Sequence, residues 1–204
     1  FLWKADLNPK DAVLILGGRG TRNDIIGTPV VYDGLVYVAV GQDPEHGEGI
    51  GRLVCVDATK TGDVTASGML WDYRGIHRSI STVSIDPATG LLFVGDFSGF
   101  LHCLDAETGK VYWTYDMKAH MWGSTLVADG KVYLGDEDGD FVVMAASKEK
   151  KVLSETNLNA PVYSTPVLAN GVLYVASNTH LYAFHDSAKA GASTDQPAKV
   201  TVKP

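Results

Sequence analysis

Apolar runs of about five residues recur along this chain at intervals near forty, and the glycines around them recur with them. Val132-Tyr133-Leu134-Gly135-Asp136 repeats Leu92-Phe93-Val94-Gly95-Asp96, with Gly130 answering Gly90 and Gly139 answering Gly99. The same run returns as Leu173-Tyr174-Val175-Ala176 and stands earlier as Val36-Tyr37-Val38-Ala39. The longer first interval fits two insertions, Gln42 to Gly51 and around Thr65 to Met69. Fixed-period repetition at this length is the mark of an architecture built from one supersecondary unit.

Each unit reads as four short strands. A small-residue strand comes first (Gly27 to Val31, Ser81 to Ile85, Gly123 to Val127, Ser164 to Leu168), and an Asx-Gly turn follows in three of the four units. Such pairs supply the positive φ angles of two-residue hairpins. The aromatic strand is second, Leu53 to Val56 and its equivalents are third, and Leu70 to Tyr73, Tyr112 to Tyr115 and Val152 to Glu155 are fourth. Four antiparallel strands per forty residues predict an all-β chain, a β-propeller of four-stranded blades. Three blades are complete. The last unit has three strands ending near His185, and Phe1 to Ala5 forms a lone fourth strand. That strand either closes a four-bladed ring on the last unit or belongs to a larger ring, with blades expected upstream of Phe1 or on another chain. Residues 1–186 form the propeller and 187–204 a loose tail or linker.

Composition narrows the function classes. Hydrophobic residues make up 45% and charged residues 20%, as in globular domains. A net charge of −7 argues against nucleic acid, which requires a basic stripe. No apolar run reaches the roughly 18 residues of a membrane span.

The segment Asp105-Ala106-Glu107-Thr108-Gly109-Lys110-Val111-Tyr112-Trp113 resembles the tryptophan-docking motif of the PQQ-like (quinoprotein) repeat family. Asp105 is placed to cap turn amides, Thr108 and Gly109 make the turn, and Trp113 lies between blades. Asp57, Thr61-Gly62 and Trp71 form a stretched version, while in the third unit Ala145 stands for the Asp and Leu153 for the Trp. The family includes PQQ-dependent alcohol dehydrogenases and the barrel-assembly lipoprotein BamB. The resemblance implies an extracytoplasmic, periplasmic-type location. In the BamB-like branch it implies a non-enzymatic scaffold with a protein partner and no cofactor. In the dehydrogenase branch it implies PQQ and calcium beneath a vicinal Cys pair. Cys55 and Cys103 are not adjacent, and their matched places in neighbouring blades predict no disulfide.

The loops that join successive units share one face with the turns between second and third strands. They bring Arg22, then Arg74, His77 and Arg78, then His120 and Trp122 to a polar and aromatic mouth suited to a partner loop, a small anionic ligand or a carbohydrate. Asp136, Asp138 and Asp140 superficially resemble a calcium loop, but the matching Asp96 turn assigns them to a hairpin, and residue 147 is Ser where a bidentate Glu is required. Asp43, Glu45, His46 and Glu48 in the long insertion form a second metal or partner candidate. His102 reads as a packed core histidine. There is no nucleophile motif, so no catalytic residue is assigned.

Overall fold

The computed structural model describes residues 1–8, 10–13, 15, 20–42 and 49–185. Among them are seventeen strands and no helix, so no helix is long and apolar enough to cross a membrane. β1 (Trp3–Lys4) precedes the blades. Blade 1 is β2 (Val30–Tyr32), β3 (Leu35–Val40), β4 (Arg52–Asp57) and β6 (Met69–Tyr73), with β5 (Gly62–Asp63) inserted before its outer strand. Blade 2 is β7 (Ser84–Asp86), β8 (Leu91–Gly95), β9 (Phe100–Asp105) and β10 (Val111–Asp116). Blade 3 is β11 (Leu126–Ala128), β12 (Lys131–Gly135), β13 (Asp140–Ala145) and β14 (Val152–Asn157). Blade 4 is the three-stranded β15 (Val167–Ala169), β16 (Val172–Ala176) and β17 (Leu181–His185).

Local chemistry sets these hairpins. Asp33-Gly34, Asp129-Gly130 and Asn170-Gly171 all hold φ between 50° and 75°, the type I′ geometry that matches strand twist. The tyrosine or phenylalanine of each second strand stands opposite the same third-strand position: Tyr37 with Cys55, Phe93 with Cys103, Tyr133 with Val143, Tyr174 with Ala183. Registers repeated this closely are what one unit copied around an axis requires.

The blades pack face to face. The Tyr37 face of blade 1 meets Leu92, Val94 and Leu104 of blade 2, and the Phe93 face of blade 2 meets Val132, Leu134 and Val142 of blade 3. Blade 3 presents Tyr133 and Phe141 to Val175 of blade 4. Both faces of a middle blade are thus apolar, which is why its inner strands read as unbroken hydrophobic runs. At the axis a relay of hydrogen bonds crosses every joint: the Thr28 amide donates to Thr82 Oγ1 (3.1 Å), the Thr82 amide to Ser124 Oγ (2.8 Å), and the Ser124 amide to Thr165 Oγ1 (3.0 Å). Only small residues fit there; a Cβ on Gly27 would lie 2.5 Å from the Ser81 carbonyl.

Closure of a four-bladed ring by the N-terminal strand does not occur. Trp3 and Lys4 pair in parallel with Gly62 and Asp63 of the blade 1 insertion, and Trp3 packs with Val38, Val40, Val54 and Val56 rather than beside Tyr174. The cause is local: the Gly62 amide donates to the Leu2 carbonyl (2.9 Å) and the Val64 amide to the Lys4 carbonyl (2.8 Å), so backbone hydrogen bonds hold β1 on the insertion. The first insertion supplies the extra strand, β5, that makes this pairing.

Candidate functional site

Trp71 and Trp113 show why the docking motif exists. The Trp113 Nε1–H donates to the Ser147 carbonyl of the next blade (2.9 Å), and the Trp71 Nε1–H donates to the Ala106 carbonyl (3.0 Å). Asp105 Oδ1 accepts from the Thr108 amide (3.0 Å) and hydroxyl (2.9 Å), and Asp105 Oδ2 from the Tyr112 hydroxyl (3.0 Å). Asp57 accepts from the Thr59 amide and hydroxyl instead of Thr61. In blade 3 the residue at the Trp position is Ser154, not Leu153. Val143 pairs with Ser154 as Cys103 pairs with Trp113, because the preceding turn is one residue longer.

The mouth face gathers the loops that lead into each blade and the turns between second and third strands. Its centre is aromatic. The His120 ring stacks on Phe97 at 4.3 Å, Trp122 meets Phe97 edge-on at 5.2 Å, and Tyr163 meets Trp122 at 5.5 Å. His120 Nδ1 lies 2.8 Å from the Phe97 carbonyl, and the Trp122 Nε1–H donates to Glu137 (2.9 Å). These side chains come from blade 2, blade 3 and the approach to blade 4, so the cluster exists only when three blades are assembled. Trp122 is 36% exposed and Tyr163 46%, offering an apolar surface at the rim.

The cationic residues of the face divide. Arg22 is exposed, and its carbonyl accepts from Gln42 Nε2. Arg74 is half-exposed and paired with Asp72 at 2.9 Å. Arg78, expected at the mouth, is buried: its guanidinium donates to Asn23 Oδ1 (3.1 Å) and the Gly20 carbonyl (2.8 Å), tying the loop that leads into blade 1 to the one that leads into blade 2. His77 keeps its ring half-exposed, 3.2 Å from Asp96.

Beneath the mouth lies a polar cluster that sequence reasoning took for plain core. Asp96 is fully buried. Its Oδ2 accepts from His102 Nε2 (2.8 Å), His77 Nδ1 (3.2 Å) and the His77 amide (3.1 Å), and its Oδ1 from the Phe100 amide (3.0 Å). The Tyr73 hydroxyl of blade 1 lies 3.2 Å from His102 Nδ1, so the cluster spans a joint. Burial pushes the Asp96 carboxyl up, but these hydrogen bonds outweigh it and hold the group below the ordinary carboxylate range. Forty residues on, Val142 replaces His102. Tyr115, at the place of Tyr73, turns outward to Glu155, and a groove of about 210 Å³ opens beside Asp116, Lys118, Asp140 and Asn157.

Asp136, Asp138 and Asp140 serve the turn. Asp136 Oδ1 accepts from the Asp138 and Asp140 amides (3.1 and 2.9 Å), and Asp140 Oδ1 from Asn157 (2.8 Å). Asp136 Oδ2 is buried with no hydrogen-bond partner, and burial pushes that carboxyl up to about 6. Among the described residues no group of three or more His, Cys, Asp or Glu could hold a metal ion. Asp43, Glu45, His46 and Glu48, and the tail from 187, lie outside the described residues. Cys55 and Cys103 are free and buried, and burial pushes their thiols up to about 11 and about 12.

Comparison with known proteins agrees with this geometry. A PQQ-like family model described as outer membrane protein assembly factor BamB matches residues 87–150. No curated protein matches the chain. Among solved structures, BamB from Moraxella catarrhalis is similar at TM-score 0.61 and 18% identity over 79% of this chain and 43% of that one. The C-terminal WD40 domain of Sif2 is similar at TM-score 0.60 and 16% identity over 80% of this chain and 44% of that one. A quinohemoprotein alcohol dehydrogenase, ADHIIG from Pseudomonas putida HK5, is similar at TM-score 0.55 and 16% identity over 76% of this chain and 28% of that one. The chain thus spans less than half the length of each of these structures. Residues 87–150 thus match a PQQ-like repeat, and the likenesses to solved structures show that the chain has a β-propeller fold.

Proposed function

We propose that this propeller is a non-enzymatic scaffold that holds a protein partner on its mouth face, outside the cytoplasm. The observation that carries the reading is the Phe97–His120–Trp122–Tyr163 cluster, aromatic, partly exposed and built from three blades. Aromatic anchors held rigid by stacking, with a polar rim around them, are the usual energetic centre of a protein interface. The extracytoplasmic placement draws on the BamB likeness.

A photo-crosslinking amino acid at position 122 or 163 tests this in cells. Discrete protein adducts are expected from both positions and none from position 170, in a turn on the opposite face. Absence of adducts at 122 and 163, or redox-dye turnover by the chain supplied with PQQ and calcium, overturns the reading. The dye assay also decides the dehydrogenase alternative, and a thermal-shift screen of sugars and small anions decides the ligand-binding one.

A further inference from the structure

Blades 1, 2 and 3 differ at one pair of matched positions beneath the mouth. Three residues after the aromatic of the second strand stand Val40, Asp96 and Asp136, and in the third strand stand Val54, His102 and Val142. Blade 1 has neither the carboxylate nor the imidazole, blade 2 has both, and blade 3 has the carboxylate alone. The turns that hold the two aspartates are the same. Each Oδ1 accepts from the amide four residues on, Phe100 at 3.0 Å and Asp140 at 2.9 Å, and each Asp amide donates to the carbonyl of that same residue. With Oδ1 fixed alike, Oδ2 points alike: in blade 2 to the ring of His102 at 2.8 Å, in blade 3 toward the side chain of Val142. Among the described residues Asp136 Oδ2 has no donor, although the residue is fully buried. A carboxylate buried in this way is destabilised, and a cation brought close to it offsets the cost.

The neighbouring space differs in step. Between blades 1 and 2 it holds the His102 ring, with the Tyr73 hydroxyl 3.2 Å from it. Between blades 2 and 3 the Tyr115 hydroxyl donates to Glu155 instead, and the groove of about 210 Å³ opens among Tyr115, Asp116, Lys118, Asp140, Val142 and Glu155. Three carboxylates and one ammonium line it. Local hydrogen bonds position two of the carboxylates: Asp116 Oδ1 accepts from the Lys118 amide (2.8 Å) and Asp140 Oδ1 from Asn157 (2.8 Å). Asp136 adds a fourth negative charge behind Val142, whose methyls keep water from Oδ2 but transmit its field through a medium of low dielectric. The groove is smaller than the roughly 300 Å³ at which drug-sized pockets begin, and it suits a single head group.

We propose that this groove binds the head group of an organic cation, a guanidinium or a primary ammonium, in the place that the His102 imidazole fills one blade earlier. A guanidinium suits it best, because a planar fork of N–H donors can engage two carboxylates at once. The cation is either a free small molecule or a basic side chain of a polypeptide. Residues 117–122 form both a wall of the groove and part of the aromatic cluster, so a polypeptide seated on Trp122 reaches it.

Titration of methylguanidinium into the 204-residue chain at pH 7.5 and constant ionic strength, followed by NMR, tests this. Saturable amide shifts are expected at Asp116, Lys118, Asp140 and Asn157. Methylurea, alike in shape but uncharged, is expected to bind about tenfold more weakly or less. Shifts that do not saturate, that fall elsewhere on the acidic surface, or that methylurea matches overturn the proposal. Asp140→Asn and Asp136→Asn are each expected to weaken binding about threefold or more, and binding unchanged in both overturns it. Val142→His places an imidazole beside Asp136 and is expected to abolish the shifts; binding that persists in the folded variant overturns it, and the two Asn variants decide the matter if Val142→His does not fold. N-acetylarginine methylamide separates the two sources: tighter binding than methylguanidinium marks a polypeptide side chain, and equal or weaker binding marks a free cation.

Discussion

Asp96 and Asp136 occupy the same position in successive blades, forty residues apart, and only Asp96 has a histidine against its second oxygen. The two aspartates consequently bear opposite relations to pH.

Asp136 is ionised at a cost. Its folded pKa, about 6, lies above the ordinary value near 4, so the folded state binds the proton more tightly than the unfolded chain. Stability from this group is full below about pH 4 and falls as pH rises through about 6. Asp136→Asn keeps the acceptor for the Asp138 and Asp140 amides and removes the charge. The melting-temperature advantage of the variant over the parent is expected to grow from pH 4.5 to pH 8, equivalent to about 1–3 kcal/mol. Thermal denaturation across that range checks it.

For Asp96 the sign reverses. Its pKa is depressed, so its contribution is present above about pH 4 and is lost as pH falls through the folded value. His102→Ala removes the strongest partner of a buried carboxylate and is expected to destabilise by about 3 kcal/mol at pH 7, with a smaller loss in acid where Asp96 is protonated. Urea titrations at pH 7 and pH 3.5 measure both.

Trp113 is 7% exposed and spans the joint between blades 2 and 3. Trp113→Ala removes that area and the bond to Ser147, with an expected loss of about 3–5 kcal/mol. Trp113→Phe keeps most of the area and loses the hydrogen bond, for about 1–2 kcal/mol. Chemical denaturation of both variants separates packing from the bond.

Trp122 behaves differently, since it lies at the rim. Trp122→Ala is expected to change stability by under about 1 kcal/mol while removing the partner adduct at position 163. Calorimetry alongside the crosslinking experiment shows whether the two effects divide in this way.

Burial protects both cysteines in the folded protein. With thiol pKa values near 11 and 12 and no exposure, Cys55 and Cys103 are expected to resist Ellman's reagent at pH 8 and to react in full on addition of guanidinium. Absorbance at 412 nm follows the reaction.

The strands were legible because a blade buries both faces and turns on Asx-Gly pairs, so the repeats carry their own alignment. β5 was not: Gly62 and Asp63 have no apolar pattern, and they form a strand only because Trp3 lies beside them. Spacing alone puts Leu153 at the place of Trp113 in blade 3, because a fixed period ignores the extra residue in the preceding turn, whereas cross-strand pairing does not. At the mouth, Trp122 and His120 were visible as polar-aromatic residues in a connecting loop. Phe97 and Tyr163 carry no sequence pattern of their own, and only the assembled blades bring them together. Its loop assigns Arg78 to the mouth, and its burial depends on Asn23, fifty-five positions away.

Ser154, standing where its predecessors carry an indole, makes the third joint the least secured. A blade touches only its neighbours, so loss of order spreads from joint to joint rather than through the whole molecule at once. All six residues of β14 are exposed, and blade 4 beyond it rests on a small apolar cluster. Amide protons of β15 to β17 should therefore exchange with solvent sooner than those of β8 and β9. That order of exchange would mark the joint between blades 3 and 4 as the first of the three to give way.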